Sequence, residues 1–176
     1  ADKTGYPLVL KALGIAHKTE ADAVRLNLQS ADAVAKAASL LFELSDRLYL
    51  ETMIEDVVAE LIVGITHDAQ FGLVMTVGSG GILVEIMKDS RTLVIPATRW
   101  QIENLLAELK SAPLFAGYRG KPKADINAAV DAILAIQQYA LDASDRLLEL
   151  DVNPLLLCAE GKGVFAADAL IVLQEN

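Results

Sequence analysis

Four short stretches of this 176-residue chain carry side chains that neither an ordinary core nor an ordinary surface requires. Lys11 interrupts the apolar run 7–13, where an ammonium is costly unless its charge is met. A neighbouring carboxylate, a stem that snorkels to water, or a phosphate could meet it. His17 opens His17-Lys18-Thr19-Glu20 soon afterwards. A largely unprotonated imidazole is a competent nucleophile toward phosphorus near neutral pH, although an exposed loop histidine is written with the same letter. His67, beside Asp68 at a strand end, reads as the ordinary kind. Gly78, Ser79, Gly80 and Gly81 lie between two strand patterns. Glycines there let backbone amides approach an anion, or simply turn a hairpin. No Lys-Ser or Lys-Thr follows, so this is not a Walker loop. Glu149, Asp151, Asn153-Pro154 and Asp168 complete the set. Asp151 and Asn153, two apart on a strand, share a face. A hairpin through Gly161 and Gly163 would return Asp168 toward Asn153. Hard oxygen donors on adjacent strands suit Mg²⁺, which takes one or two protein oxygens and completes its shell with water and phosphate. A solvated strand face is the plainer reading, but Asp168 sits among Phe165, Ala166, Ala167, Ala169, Leu170 and Ile171, where an unpaired carboxylate would be costly.

The elements that must position these groups follow from periodicity. Residues 7–13 read as a buried strand with Lys11 facing inward. Val24, Leu26 and Leu28 alternate with polar residues, the pattern of a half-buried strand. Ser30 is a good cap for a helix over 31–48. Strands are expected at 49–54, 57–66, 73–77, 82–87 and 92–95, with an antiparallel meander around Gly72, residues 78–81 and Asp89-Ser90. Thr98 caps a helix over 98–109, residues 113–122 form a loop, and 125–141 form a second helix. Two strands, 148–157 and 164–172, end the order. Strand, strand, helix, several strands, two helices and two strands is an α+β pattern, not the strict alternation of a doubly wound parallel sheet. A passage from a smaller lobe (1–55) to a larger one (56–176) is expected at Glu55-Asp56, with a nucleotide-sized cleft between lobes.

Bulk properties narrow the partners. The chain is 53% hydrophobic and 22% charged, so a large core is expected. A net charge of −9 without a basic stripe disfavours nucleic acid as main partner. No apolar run is long enough to span a membrane. The single Cys158 excludes an internal disulfide and fits a reducing compartment, and no secretory leader is visible, so a cytoplasmic location is expected.

Taken together, the ordered motifs resemble a known family. Residues 5–11 (Gly-Tyr-Pro-Leu-Val-Leu-Lys), His17-Lys18-Thr19-Glu20, Glu60-Leu61-Ile62-Val63-Gly64, Phe71-Gly72 with residues 78–81, Gly117-Tyr118-Arg119-Gly120 and Glu149-Leu150-Asp151-Val152-Asn153-Pro154-Leu155 look like the ATP-grasp portion of the ADP-forming acyl-CoA synthetases, relatives of succinyl-CoA synthetase. The resemblance implies an α+β ATP-grasp fold of two lobes with mixed or antiparallel sheets and packed helices, the small lobe incomplete at its N-terminus because the family's stretch before Gly5 is missing. It implies ATP and Mg²⁺ as cofactors. Lys11 would contact the ATP phosphates, Glu51 and Met53 would lie in the adenine-side linker, and Glu60 would stand beside the nucleotide. Gly78, Ser79, Gly80 and Gly81 would form a ligand loop, Asn153 and Asp168 would hold the metal, and His17 would carry phosphate. The implied reaction is carboxylate, CoA and ATP to acyl-CoA, ADP and phosphate, with a CoA-binding domain or α-type subunit as partner and a hetero- or homo-oligomer possible. Asp22 and Ala23 depart from the family's usual small residues, commonly glycine, and Leu73 replaces a usual proline. A carboxylate–amine ligase would need no carrier histidine, and a non-catalytic module controlling a fused acyltransferase is the other alternative.

Overall fold

The apolar run after Pro7 becomes the central strand of a small antiparallel sheet. The computed structural model describes residues 1, 3–15, 22–81 and 88–174, and it divides into units Ala1–Glu55 and Asp56–Asn176. In the first, β1 (Leu8–Ala12) lies between β2 (Val24–Leu28) and β3 (Leu48–Thr52). Leu8, Leu10 and Ala12 pack with Ala37 and Leu41 of helix α1 (Ala31–Leu41). Ser30 caps that helix, its hydroxyl accepting from the Ala33 N–H at 3.2 Å.

Two details differ from the periodicity. The helix ends at Leu41 rather than at residue 48, leaving Phe42 and Leu44 exposed. Tertiary bonds override helical spacing here. The Ser45 hydroxyl donates to the Leu13 carbonyl at 2.7 Å, the Leu13 N–H donates to the Arg47 carbonyl at 2.8 Å, and Leu48 pairs with Ala12 across the sheet. In β2 the register shifts between the pairs Leu8–Leu28 and Leu10–Arg25, and Asn27 takes φ +56°. This bulge breaks the expected alternation and turns Leu26 out to 62% exposure.

The second unit is built on an antiparallel sheet of order β6-β5-β4-β7-β8, with β9 also pairing β7. Its strands are β4 (Val57–Asp68), β5 (Gly72–Ser79), β6 (Ser90–Val94), β7 (Leu147–Cys158), β8 (Val164–Ala166) and β9 (Ala169–Leu173). One face contributes Leu61, Val63, Ile65, Met75, Val77, Leu150, Val152 and Leu155 to the core. Helices α2 (Arg99–Ala107) and α4 (Ile126–Asp142) cover it with Ile102, Leu105, Leu106, Val130 and Ile133. Thr98 and Gln101 form a reciprocal capping box at the start of α2. The Gln137 amide, buried in α4, answers both the N–H and the carbonyl of Ala97, at 2.7 and 3.1 Å.

The expected loop at 113–122 contains a one-turn helix, α3 (Ala112–Phe115), and a 3-10 turn, Tyr118–Gly120. Phe115 anchors the former in the core. The single closing strand expected at 164–172 is two strands, divided at Ala167-Asp168. The strand expected at 82–87 lies outside the described residues.

Asp125 does more than start a helix. It caps α4 through the Ala128 N–H at 3.2 Å, and its other oxygen accepts from the Gly161 and Gly163 N–H groups at 2.9 and 3.0 Å. The turn between β7 and β8 is thereby clasped to the helix. Bonds from Ala128 and Gly163, with a smaller one from Gly161, hold the carboxyl below its ordinary 3.8 against a minor opposing effect of burial. Asp125→Ala is expected to lower unfolding free energy at pH 7 by about 1–2 kcal/mol in urea titrations. A depressed folded pKa contributes stability that is complete above the unfolded value and is lost as pH falls through the folded one. The gap between wild type and variant should therefore close below pH 3.8.

Candidate functional site

Because Leu61, Val63, Leu150, Val152 and Leu155 face the helices, the alternation of β4 and β7 turns Glu60, Gly64, Asp151 and Asn153 to the opposite face of the sheet. Asp151 pairs with Gly64, where a Cβ would stand 3.7 Å from the Asp151 Oδ1. The register then shifts between Leu61–Leu155 and Val63–Val152, so β7 carries one extra residue around Asn153-Pro154. Proline has no N–H for the ladder, and a bulge is where a central strand tolerates one.

Asp168 is brought beside Asn153. Val152 pairs with Ala169 and Leu155 with Ala166, and the Asn153 N–H donates to the Asp168 carbonyl at 3.1 Å. Asp168 thus sits at the break between β8 and β9, its backbone against that of Asn153. The apolar burial expected around Asp168 is not found. Phe165, Leu170 and Ile171 are exposed, and Asp168 itself is only half-buried. β8 and β9 lie at the sheet's edge, so apolar letters here do not imply a dry environment. Asp168 Oδ1 accepts from the Ala169 N–H at 3.0 Å. Among the described residues, no group of three or more His, Cys, Asp and Glu side chains comes together.

Gly78, Ser79, Gly80 and Gly81 run out of β5 directly against Glu60. A Cβ on Gly80 would lie 2.6 Å from the Glu60 Cβ and 3.0 Å from its carbonyl carbon, and one on Gly81 would be 3.7 Å from the Glu60 Oε2. Gly78 is also tight, though less so, with the Asp89 carbonyl and the Ser90 Cβ each at 3.0 Å. At Gly78 and Gly80 the close approach of neighbouring atoms leaves no room for a side chain. The Ser79 N–H is committed to the Asp89 carbonyl at 3.0 Å and the Gly80 N–H to the Glu60 carbonyl at 2.7 Å. The expectation that amides across this stretch face an anion is thus corrected at those two positions.

A network that sequence reasoning passed over anchors the same stretch. Asp89, read only as a turn residue, is 1% exposed. Its carboxylate accepts from the Ser79 hydroxyl at 2.6 Å and from the Lys110 and Ser111 N–H groups at 2.7 and 2.9 Å, and the Ser79 and Ser111 hydroxyls are 2.6 Å apart. Burial pushes this carboxyl up, but the bonds from Ser79, Lys110 and Ser111 together outweigh it and hold it below its ordinary value. No local signal marks these partners, which lie 10 and more than 20 residues away in sequence.

In the first unit, Val9 and Lys11 face away from α1. Lys11 is 8% exposed and forms an ion pair with Glu51, which stands opposite Val9 on β3. Two of the expected ATP-binding residues are thus in contact. Met53 follows, its N–H donating to the Pro7 carbonyl at 3.0 Å. Asp22 adopts φ +52°, the left-handed region that favours glycine and that Asp tolerates. A glycine would adopt that conformation without strain. Arg25 grips its carboxylate with both terminal nitrogens, at 2.7 and 2.8 Å. His17 lies outside the described residues.

Comparison with known proteins extends these observations. A family model described as an ATP-grasp domain matches residues 1–173. The chain is 34% identical over 184 residues to the β subunit of acetate–CoA ligase [ADP-forming] II from Pyrococcus furiosus, covering 99% of this chain and 78% of that subunit. It is 33% identical to acetate–CoA ligase [ADP-forming] II of Archaeoglobus fulgidus, where it spans 26% of the longer protein. Among solved structures it resembles acetyl-coenzyme A synthetase 1 of Ca. Korarchaeum cryptofilum with a TM-score of 0.83 and 30% identity, over 98% of this chain and 79% of that one. That structure contains coenzyme A and Mg-AMPPCP, and its phosphohistidine segment points towards the nucleotide-binding site.

The contact of Gly80 with Glu60 gives a direct test. Gly80→Ala is expected to cost about 1–3 kcal/mol of stability in denaturant titrations, because the backbone of Glu60 cannot yield as a flexible side chain would. Unchanged stability would contradict the close approach.

Proposed function

Since the chain belongs to the ATP-grasp family, alongside the β subunits of ADP-forming acetate–CoA ligases, we propose that it is the nucleotide-binding part of an ADP-forming acid–CoA ligase. With a CoA-binding domain or α-type subunit, it would convert a carboxylate, CoA and ATP into acyl-CoA, ADP and phosphate. The observation that carries this reading is the match to a ligase β subunit over 99% of the chain. The neighbour that holds both CoA and a magnesium–nucleotide analogue supports it.

Phosphoryl transfer asks mainly for positioning and charge neutralisation, and the residues have separate tasks in it. Lys11, held by Glu51, supplies a fixed cation for the phosphates. Glu51 and Met53 border the adenine, and Glu60, braced by Gly80, borders the nucleotide from the sheet. Gly81 remains with Gly78, Ser79 and Gly80 as the ligand loop. Asn153 and Asp168 fit Mg²⁺, since one carboxylate and one amide oxygen, on β7 and at the β8–β9 break beside it, leave places for water and phosphate. When bound, the metal would neutralise charge on the phosphate oxygens. His17 accepts the γ-phosphoryl group. A P–N bond forms as the bond to the β-bridging oxygen breaks, ADP leaves, and the phosphoryl group passes on toward the acid. On this reading the units Ala1–Glu55 and Asp56–Asn176 are the small and large ATP-grasp lobes. Asp22 favours a second reading, a non-catalytic regulatory module, because it puts an acid near the histidine loop. Its pairing with Arg25 offsets that charge.

Incubating the full enzyme with γ-labelled ATP and Mg²⁺ is expected to place acid-labile, base-stable label on His17, and His17→Asn should take none. Label that persists in His17→Asn, or a wild type that takes none, would remove the carrier role. Calorimetry should show Asp168→Ala weakening magnesium-dependent ATP binding on the order of 100-fold, the scale of several kcal/mol of metal-mediated charge stabilisation.

A further inference from the structure

Asp89 has no place among the roles just given, yet it is the most completely buried charged group among the described residues. A buried carboxylate persists only where donors replace water. Here the donors come from two separate places. Ser79, inside the glycine-rich stretch, gives its hydroxyl, while Lys110 and Ser111, beyond α2, give backbone N–H groups. The Asp89 carbonyl also takes the Ser79 N–H, so Ser79 is held at both its backbone and its side chain by one residue. The next residue, Gly80, is fitted against Glu60 with no room for a methyl group. Any movement of Ser79 is therefore passed to Gly80 and from there to Glu60.

We propose that Asp89 is a positioning residue for the nucleotide site, locking Ser79 to the Lys110-Ser111 backbone so that Gly80 fixes Glu60 against the nucleotide. The inference rests on the ATP-binding reading and adds a residue to it. Asp89 itself touches no substrate. A carboxylate has enough acceptor sites for all these donors, whereas an amide at the same position offers one oxygen and adds a competing N–H₂. Asp89→Asn therefore keeps shape and size while it loosens the hold on the Ser79 side chain. Ser111→Ala is the milder disturbance, removing only the hydroxyl 2.6 Å from that of Ser79.

The test is calorimetric titration of Mg-ATP into the full enzyme, wild type, Asp89→Asn and Ser111→Ala, well below each melting temperature. Stoichiometry reports the folded fraction separately from affinity. Misplacing a supporting contact is expected to raise Kd roughly tenfold in Asp89→Asn and about threefold in Ser111→Ala, with stoichiometry unchanged. A lower melting temperature or stoichiometry with wild-type Kd in both variants would make Asp89 a purely structural residue and overturn the proposal. A wild type that binds no Mg-ATP would overturn this inference and the ATP-binding reading together, so the two failures are told apart. Should Asp89→Asn fail to fold, the Kd of Ser111→Ala decides alone.

Discussion

The antiparallel pairing of β4 with β7 is the constraint on which the larger unit depends. Both are 12-residue strands at the middle of the sheet. Their core-facing residues leave no freedom of register, since a slip of one residue would turn Leu61, Val63, Leu150 and Val152 to the other face. Once that register is set, Glu60, Asp151 and Asn153 stand opposite the core without further instruction. β7 then organises the edge by pairing β8 and β9 in turn, which sets Asp168 beside Asn153. β4 organises the other side by pairing β5, which runs Gly80 into Glu60. Polar groups far apart in sequence thus gather on one surface because apolar groups between them demand the other.

Among the described residues three polar side chains are buried, Lys11, Asp89 and Gln137, and each is answered by protein. Gln137 fastens the start of α2 to α4. Lys11 and Asp89 are charged, and burying a charge carries a desolvation cost that its partners must offset. A buried charge retained at that cost fits a role in function. Each also holds a neighbour in a single arrangement, Lys11 with Glu51 and Asp89 with Ser79.

Legibility from sequence followed the range of the interaction. Local signals held. The run around Lys11 is a buried strand, Ser30 and Thr98 cap helices through their own side chains, and the glycine-marked segments pair antiparallel. The adjacency of Asn153 and Asp168 could be read because one short hairpin joins them. Features that depend on distant partners were misjudged or missed. Helix α1 stops early because Leu13 and Ala12 take the backbone that follows it, and Leu26 is exposed because β2 bulges against β1. Neighbours in sequence predict an apolar environment for Asp168, although an edge position decides exposure. Asp89 was invisible, since Lys110 and Ser111 reach it only after the chain has made a strand and a helix.

On the proposed reading, a γ-phosphoryl group moves reversibly between ATP and His17 in this chain. Exchange of isotope from labelled ADP into unlabelled ATP, measured in the full enzyme with Mg²⁺ and without CoA or any acid, tests it most directly. Steady exchange that vanishes in His17→Asn is expected. Exchange that requires both CoA and a carboxylate, or that survives His17→Asn, would contradict it.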